Sequence, residues 1–149
     1  MTRRALLDVN VLIALFDPDH IHHDLAHDWF ADNRSHGWAT CPLTENGFVR
    51  VMANPAYGSL VAGTSELLSR LGAFCRADDH QFWPDSVSLR DQTQFDPAMA
   101  TGHRQLTDIY LLGLARAHGG RLATFDRSIR MKAVIGATAL TLAVIEPSD

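Results

Sequence analysis

The stretch Ala5-Leu6-Leu7-Asp8-Val9-Asn10-Val11-Leu12-Ile13-Ala14-Leu15-Phe16 decides the reading of this chain. Its first three residues form an apolar run of the kind expected of a strand buried on both faces. Asp8 closes that run, and Val9 to Phe16 reads as a short apolar helix stopped by Asp17-Pro18. A carboxylate between two apolar segments has no place as a solvated surface charge. Arg3 and Arg4 ahead of the run loosely mimic a secretory leader, but Asp8 and Asn10 interrupt it and no small-x-small cleavage site follows. The segment is therefore expected to be a strand entering a helix in a cytoplasmic protein.

The same grammar repeats outward. Leu25, Ala26, Trp29 and Phe30 give helical spacing over His23 to Asn33. Trp38 to Cys41 reads as a strand, and Pro42 suits the first turn of a helix that turns Leu43, Phe48, Val49 and Met52 inward. Thr64 or Ser65 is the expected cap of another helix running to about Arg76. His80 to Trp83 reads as a short strand and Pro84 to Gly102 as a loop-rich stretch. Leu106 to His118 is a strong helix with an Ile109-Leu112-Ala115 stripe, ended by Gly119-Gly120. Arg121 to Phe125 and Leu140 to Val144 read as strands. Alternation of this kind predicts an α/β fold with a mostly parallel central sheet covered on both faces, and 149 residues suit a single domain spanning residues 1–149.

Composition narrows the function. Hydrophobic residues make up 46% and charged residues 20%, and no apolar run is long enough for a membrane span. Cys41 and Cys75 are far apart and suggest two buried free thiols, neither a disulfide framework nor a zinc site. The net charge of −4 argues at first against a nucleic-acid partner. Setting aside four acids as one site leaves 13, which balances the 13 basic residues, all arginine except Lys132. Arginine suits bidentate phosphate contacts, although coding bias explains its excess equally well.

Four acids occupy telling places. Asp8 and Asp126 each end a strand, and Glu45 and Asp108 each fall in the first turn of a helix. In open parallel sheets, ligand sites form beyond the carboxyl ends of the strands, so all four can converge there. Clustered carboxylates raise one another's pKa values, a conflict that a divalent cation removes. Oxygen-only ligands suit Mg²⁺ or Mn²⁺, and such ions promote phosphodiester hydrolysis. Each acid alone has a plainer role as a helix-dipole or turn residue, but the set is hard to dismiss.

The segments LLDVNVLIAL around Asp8, TENGF around Glu45, LTDIYLLGLA around Asp108 and LATFD ending at Asp126 resemble the PIN domain, and within it the VapC toxins of type II toxin–antitoxin pairs. The resemblance implies a three-layer α/β/α sandwich around a parallel sheet, with Asp8, Glu45, Asp108 and Asp126 as catalytic metal ligands for Mg²⁺ or Mn²⁺. It implies a metal-dependent endoribonuclease that cuts a tRNA or an rRNA, forms a homodimer and is held in check by a VapB-like antitoxin. Asn10 and Thr124 match polar PIN positions and are expected to support the site, against plainer roles as a helix cap and an ordinary strand threonine. His103 and Arg104, just before the Asp108 helix, are candidates for phosphate contact or simple surface residues.

Other features remain open. His23 and His27 stand at a zinc-compatible spacing within a patch with His20 and His22, though no further ligand is evident. Trp29 has core spacing, whereas Trp38 and Trp83 fit either core or base stacking. A dehalogenase-type phosphatase needs an Asp where Asn10 stands, and a phosphoreceiver domain needs a late lysine after a strand, which Lys132 does not supply. A non-catalytic RNA- or protein-binding module is the remaining alternative, and the intact acids argue against it.

Overall fold

The computed structural model describes residues 2–58 and 63–147. Its core is a five-stranded sheet built from β1 (Ala5–Leu7), β2 (Trp38–Thr40), β3 (His80–Phe82), β4 (Arg121–Thr124) and β5 (Leu142–Val144). The order across the sheet is β3-β2-β1-β4-β5 and every pairing is parallel. Side chains alternate across the strands. Ala5, Leu7, Trp38 and Ala123 join the core on one face, with Leu6, Ala39 and Leu122 in the core on the other.

The first face is covered by α1 (Val9–Phe16), α2 (His23–Asn33), α3 (Pro42–Met52) and α4 (Thr64–Phe74). The second is covered by α5 (Leu106–Ala117). The result is the α/β/α sandwich expected from the resemblance. α5 ends as its glycines require: Gly119 has φ +68°, its N–H donates to the Arg116 carbonyl at 3.0 Å, and the Gly120 N–H donates to the Ala115 carbonyl at 2.8 Å. Among the described residues no helix is long and apolar enough to cross a membrane.

Several local expectations need correction. α4 starts after Gly63, which offers no side chain, so neither Thr64 nor Ser65 is its cap. The 84–102 stretch has no helix or strand, in line with its loop-rich reading, and is anchored to the core. Phe95 is buried within the core under α5, pairs with Val134 in an isolated bridge, and packs so tightly on Gly113 that a Cβ there would lie 2.3 Å from its ring. Trp38 and Trp83 are both buried, which leaves neither face free for a base. Trp29 is half-buried, with the Arg121 guanidinium 5.5 Å from its ring centre. Of the two free thiols, Cys41 is buried and Cys75 only half-buried.

Candidate active site

Asp8 sits where β1 hands over to α1. It is the N-cap of that helix, and its Oδ1 accepts the Val9 N–H at 2.7 Å. Its Oδ2 accepts the Thr124 hydroxyl at 2.9 Å, across the sheet from the end of β4. The same hydroxyl oxygen accepts the Asp126 N–H at 3.1 Å. Thr124, fully buried, thus ties the strand-end carboxylate of β1 to the turn that carries Asp126. Asp126 is held in turn by Ser128, whose N–H and hydroxyl both donate to its Oδ1, at 2.8 and 2.6 Å.

Asp108 enters from the other layer, in the first turn of α5. Burial, followed by the charges of Asp8 and Asp126, pushes its carboxyl up to about 6. Asp8 is also raised, chiefly by burial and secondarily by Asp126, against the stabilising bonds from Thr124 and Val9. Among the described residues, no lysine, arginine or histidine forms an ion pair with any of the three. Asp8 and Asp108 thus both feel the charge of Asp126 at the carboxyl edge of the sheet, with no basic side chain paired to any of the three among the described residues.

Glu45 stands at the same edge, one strand over, in the first turn of α3. That helix begins at Cys41, the N-cap, with Pro42 at its first position and the Thr44 hydroxyl accepting the Cys41 N–H at 3.0 Å. Gly47 lets it approach α1 closely, since a Cβ there would lie 2.8 Å from a Val9 methyl. The Glu45 carboxylate does not join the aspartates. Its Oε2 accepts the Thr40 hydroxyl at 2.6 Å, and it lies beside Cys75 and His80.

Of the weaker candidates, Thr124 is the one bonded into the cluster. Asn10 is exposed on the first turn of α1 and is not its cap, a place taken by Asp8. His103 and Arg104 are exposed in a 3-10 turn (His103–Gln105) that leads into α5. The histidine patch divides. The rings of His23 and His27 bond the Ala14 and Leu15 carbonyls at 2.7 and 2.8 Å, satisfying the open C-terminal end of α1 rather than a metal. His20 and His22 lie against Phe125, with ring centres 6.3 and 4.7 Å away, and so flank the Thr124–Asp126 segment. That placement was not readable from spacing, because about a hundred residues separate the partners.

A parallel sheet order of 3-2-1-4-5 with acids at the ends of β1 and β4 and in the first turns of α3 and α5 defines a PIN domain. The PIN domain family matches residues 5–135, and the chain belongs to it. It is similar to the ribonuclease VapC44 of Mycobacterium tuberculosis, 46% identical over 144 residues that cover 95% of this chain and 99% of that protein. Ribonuclease VapC39 of the same organism is 42% identical, covering 89% of this chain and 95% of its own length. Ribonuclease VapC38 is 47% identical, covering 84% and 86%.

Proposed function

We propose that the protein is a metal-dependent endoribonuclease acting as the toxin of a toxin–antitoxin pair. The observation that carries this reading is the cluster of Asp8, Asp108 and Asp126 without a cationic partner. The names of the VapC relatives support RNA as the substrate.

The donor set fits a hard divalent cation. It offers carboxylate oxygens only, two of them from groups whose charged forms are disfavoured in the metal-free protein. Asp8 and Asp108 would hold Mg²⁺ or Mn²⁺ directly, with Asp126 and Glu45 as further ligands or as anchors for its waters. The chemistry such an ion supplies is acidification of a water and neutralisation of phosphodiester charge. The chain's own residues set the stage. Thr124 fixes the direction of Asp8 and positions the Asp126 turn through one hydroxyl. Glu45, held by the Thr40 hydroxyl, would act there from the outer set, through waters. Asn10 is exposed two residues after Asp8 and is assigned to orienting water there. His103 and Arg104 are assigned to RNA phosphate beside the start of α5.

The expected RNA is a tRNA or an rRNA in the cytoplasm, the expected inhibitor a VapB-like antitoxin, and the expected assembly a homodimer, to be checked by light scattering. The test is to sequence RNA 5′ ends after induction of the wild type and of Asp8→Asn. New ends at one site, absent in the variant and abolished in vitro by EDTA, support the reading. Equal cleavage by the variant, or full activity in EDTA, overturns it.

A further inference from the structure

Outside the three aspartates, one group of side chains has the makings of a site of different chemistry. Glu45, Cys75 and His80 each present a ligand atom, and these atoms all lie within 4.8 Å of one another. They come from three elements: the first turn of α3, the C-cap of α4 and the first residue of β3. All three are half-buried, so the group is enclosed yet reachable. Glu45 also lines an open groove of about 540 Å³ beside Asn46 and Arg50.

At the centre stands the Thr40 hydroxyl, fully buried at the end of β2. It donates to Glu45 Oε2 at 2.6 Å and lies 2.8 Å from His80 Nε2. One hydroxyl, with a single proton to give, thus joins two of the three groups, and the Cys75 thiol lies beside them.

We propose that Glu45, Cys75 and His80 form a second cation site, selective for Zn²⁺ or a similarly soft divalent ion, which when filled draws Glu45 away from the outer set of the carboxylate centre. Sulfur and imidazole nitrogen favour zinc over magnesium. Zinc–ligand bonds of about 2.0–2.3 Å place tetrahedral ligands roughly 3.3–3.7 Å apart. The group must close by about an ångström, which side-chain rotation of Glu45 and Cys75 supplies once the Thr40 bridge is released. The fourth position is left to water.

The test uses the full-length protein, purified without metal and then given excess Mg²⁺ to fill the carboxylate centre. Co²⁺ is added as a spectroscopic stand-in, and Zn²⁺ is titrated calorimetrically. The proposal expects one Zn²⁺ per chain and a thiolate-to-cobalt charge-transfer band in the wild type. It expects Zn²⁺ affinity at least about tenfold weaker in Cys75→Ser and in His80→Gln, and changed less than about threefold in Asp108→Asn. Absence of the thiolate band in the wild type overturns the site even if a variant fails to fold. Undiminished zinc binding in both Cys75→Ser and His80→Gln also overturns it, as does loss of zinc binding in Asp108→Asn alone.

Discussion

The two ends of the sheet treat charge in opposite ways. At the amino end, Arg4, Arg34, Asp79 and Arg121 are all hydrogen-bonded. Arg34 Nε and Trp38 Nε1 both donate to the Asp79 carboxylate at 2.8 Å, and Arg4 donates to the main-chain carbonyls of Trp38 and Asp79 at 3.1 and 2.8 Å. Arg121 bonds the Arg3 carbonyl and the Asn33 side chain. The Asp79 carboxyl is accordingly held below its usual range, first by the Arg34 bond. At the carboxyl end, Asp8 and Asp108 are held above theirs, and their nearest charges are other acids. The same residue type is ion-paired at one end and left without a basic partner at the other, which is the contrast on which the proposed cation site rests.

This contrast can be broken from either side. The largest effect is expected from removing a charge at the carboxyl end. Asp8→Asn and Asp108→Asn should each lower RNA cleavage by at least about 100-fold, more than loss of an outer-shell partner costs. The metal-free thermal midpoint of each should stay level or rise, because like-charge repulsion is relieved. A lowered midpoint would instead class these acids with Asp79. Thr124→Val comes next. It leaves Asp8 and Asp126 intact but removes the hydroxyl that joins them, and cleavage should fall by about 10- to 100-fold with partial recovery at high Mn²⁺. Unchanged activity would remove Thr124 from its positioning role.

The pH dependence sharpens the contrast further. Asp108 is raised to about 6, so below that pH a cation must displace its proton, and apparent Mn²⁺ affinity should fall by about tenfold per pH unit. The stability signs are opposed. In the metal-free protein the penalty from Asp108 is present above about 6 and is relieved as pH falls through 6 toward its unfolded value. The contribution of Asp79, whose folded pKa is depressed, is present above the unfolded value and is lost on further acidification. The smallest effect on catalysis is expected at the amino end. Asp79→Ala should destabilise the fold by about 1–3 kcal/mol, chiefly by orphaning the buried Trp38 indole N–H, and leave cleavage per folded molecule unchanged. Chemical denaturation beside a cleavage assay checks both halves.

How much of this was legible in the sequence follows from the length scale of each signal. β1 and β4 are buried on both faces, so their apolar runs and terminal aspartates stand out without a structure. The helices were legible for the same reason, their spacing being local. Three-residue strands such as β2 and β3 are too short to show a period, which left Trp38 and Trp83 undecided until burial placed them in the core. The 84–102 stretch has no period at all, yet Phe95 anchors it through one contact with a glycine on a distant helix. Within the candidate site, Asp8 and Asp108 each feel the charge of Asp126, while Glu45 turned to Thr40, a preference set by a hydroxyl five residues away. The neighbours Cys75 and His80 joined Glu45 only through the packing of α3 and α4 beside β2, and no motif spacing could announce them.

The central claim is that the unpaired aspartates at the carboxyl end of the sheet are a cation site. The most direct measurement is calorimetric titration of Mn²⁺ into metal-free protein at neutral pH, for the wild type and Asp108→Asn, with no RNA present. Saturable binding in the wild type that weakens by at least about tenfold in Asp108→Asn is the predicted result. Equal affinity in the two proteins, or no binding by the wild type, would contradict it.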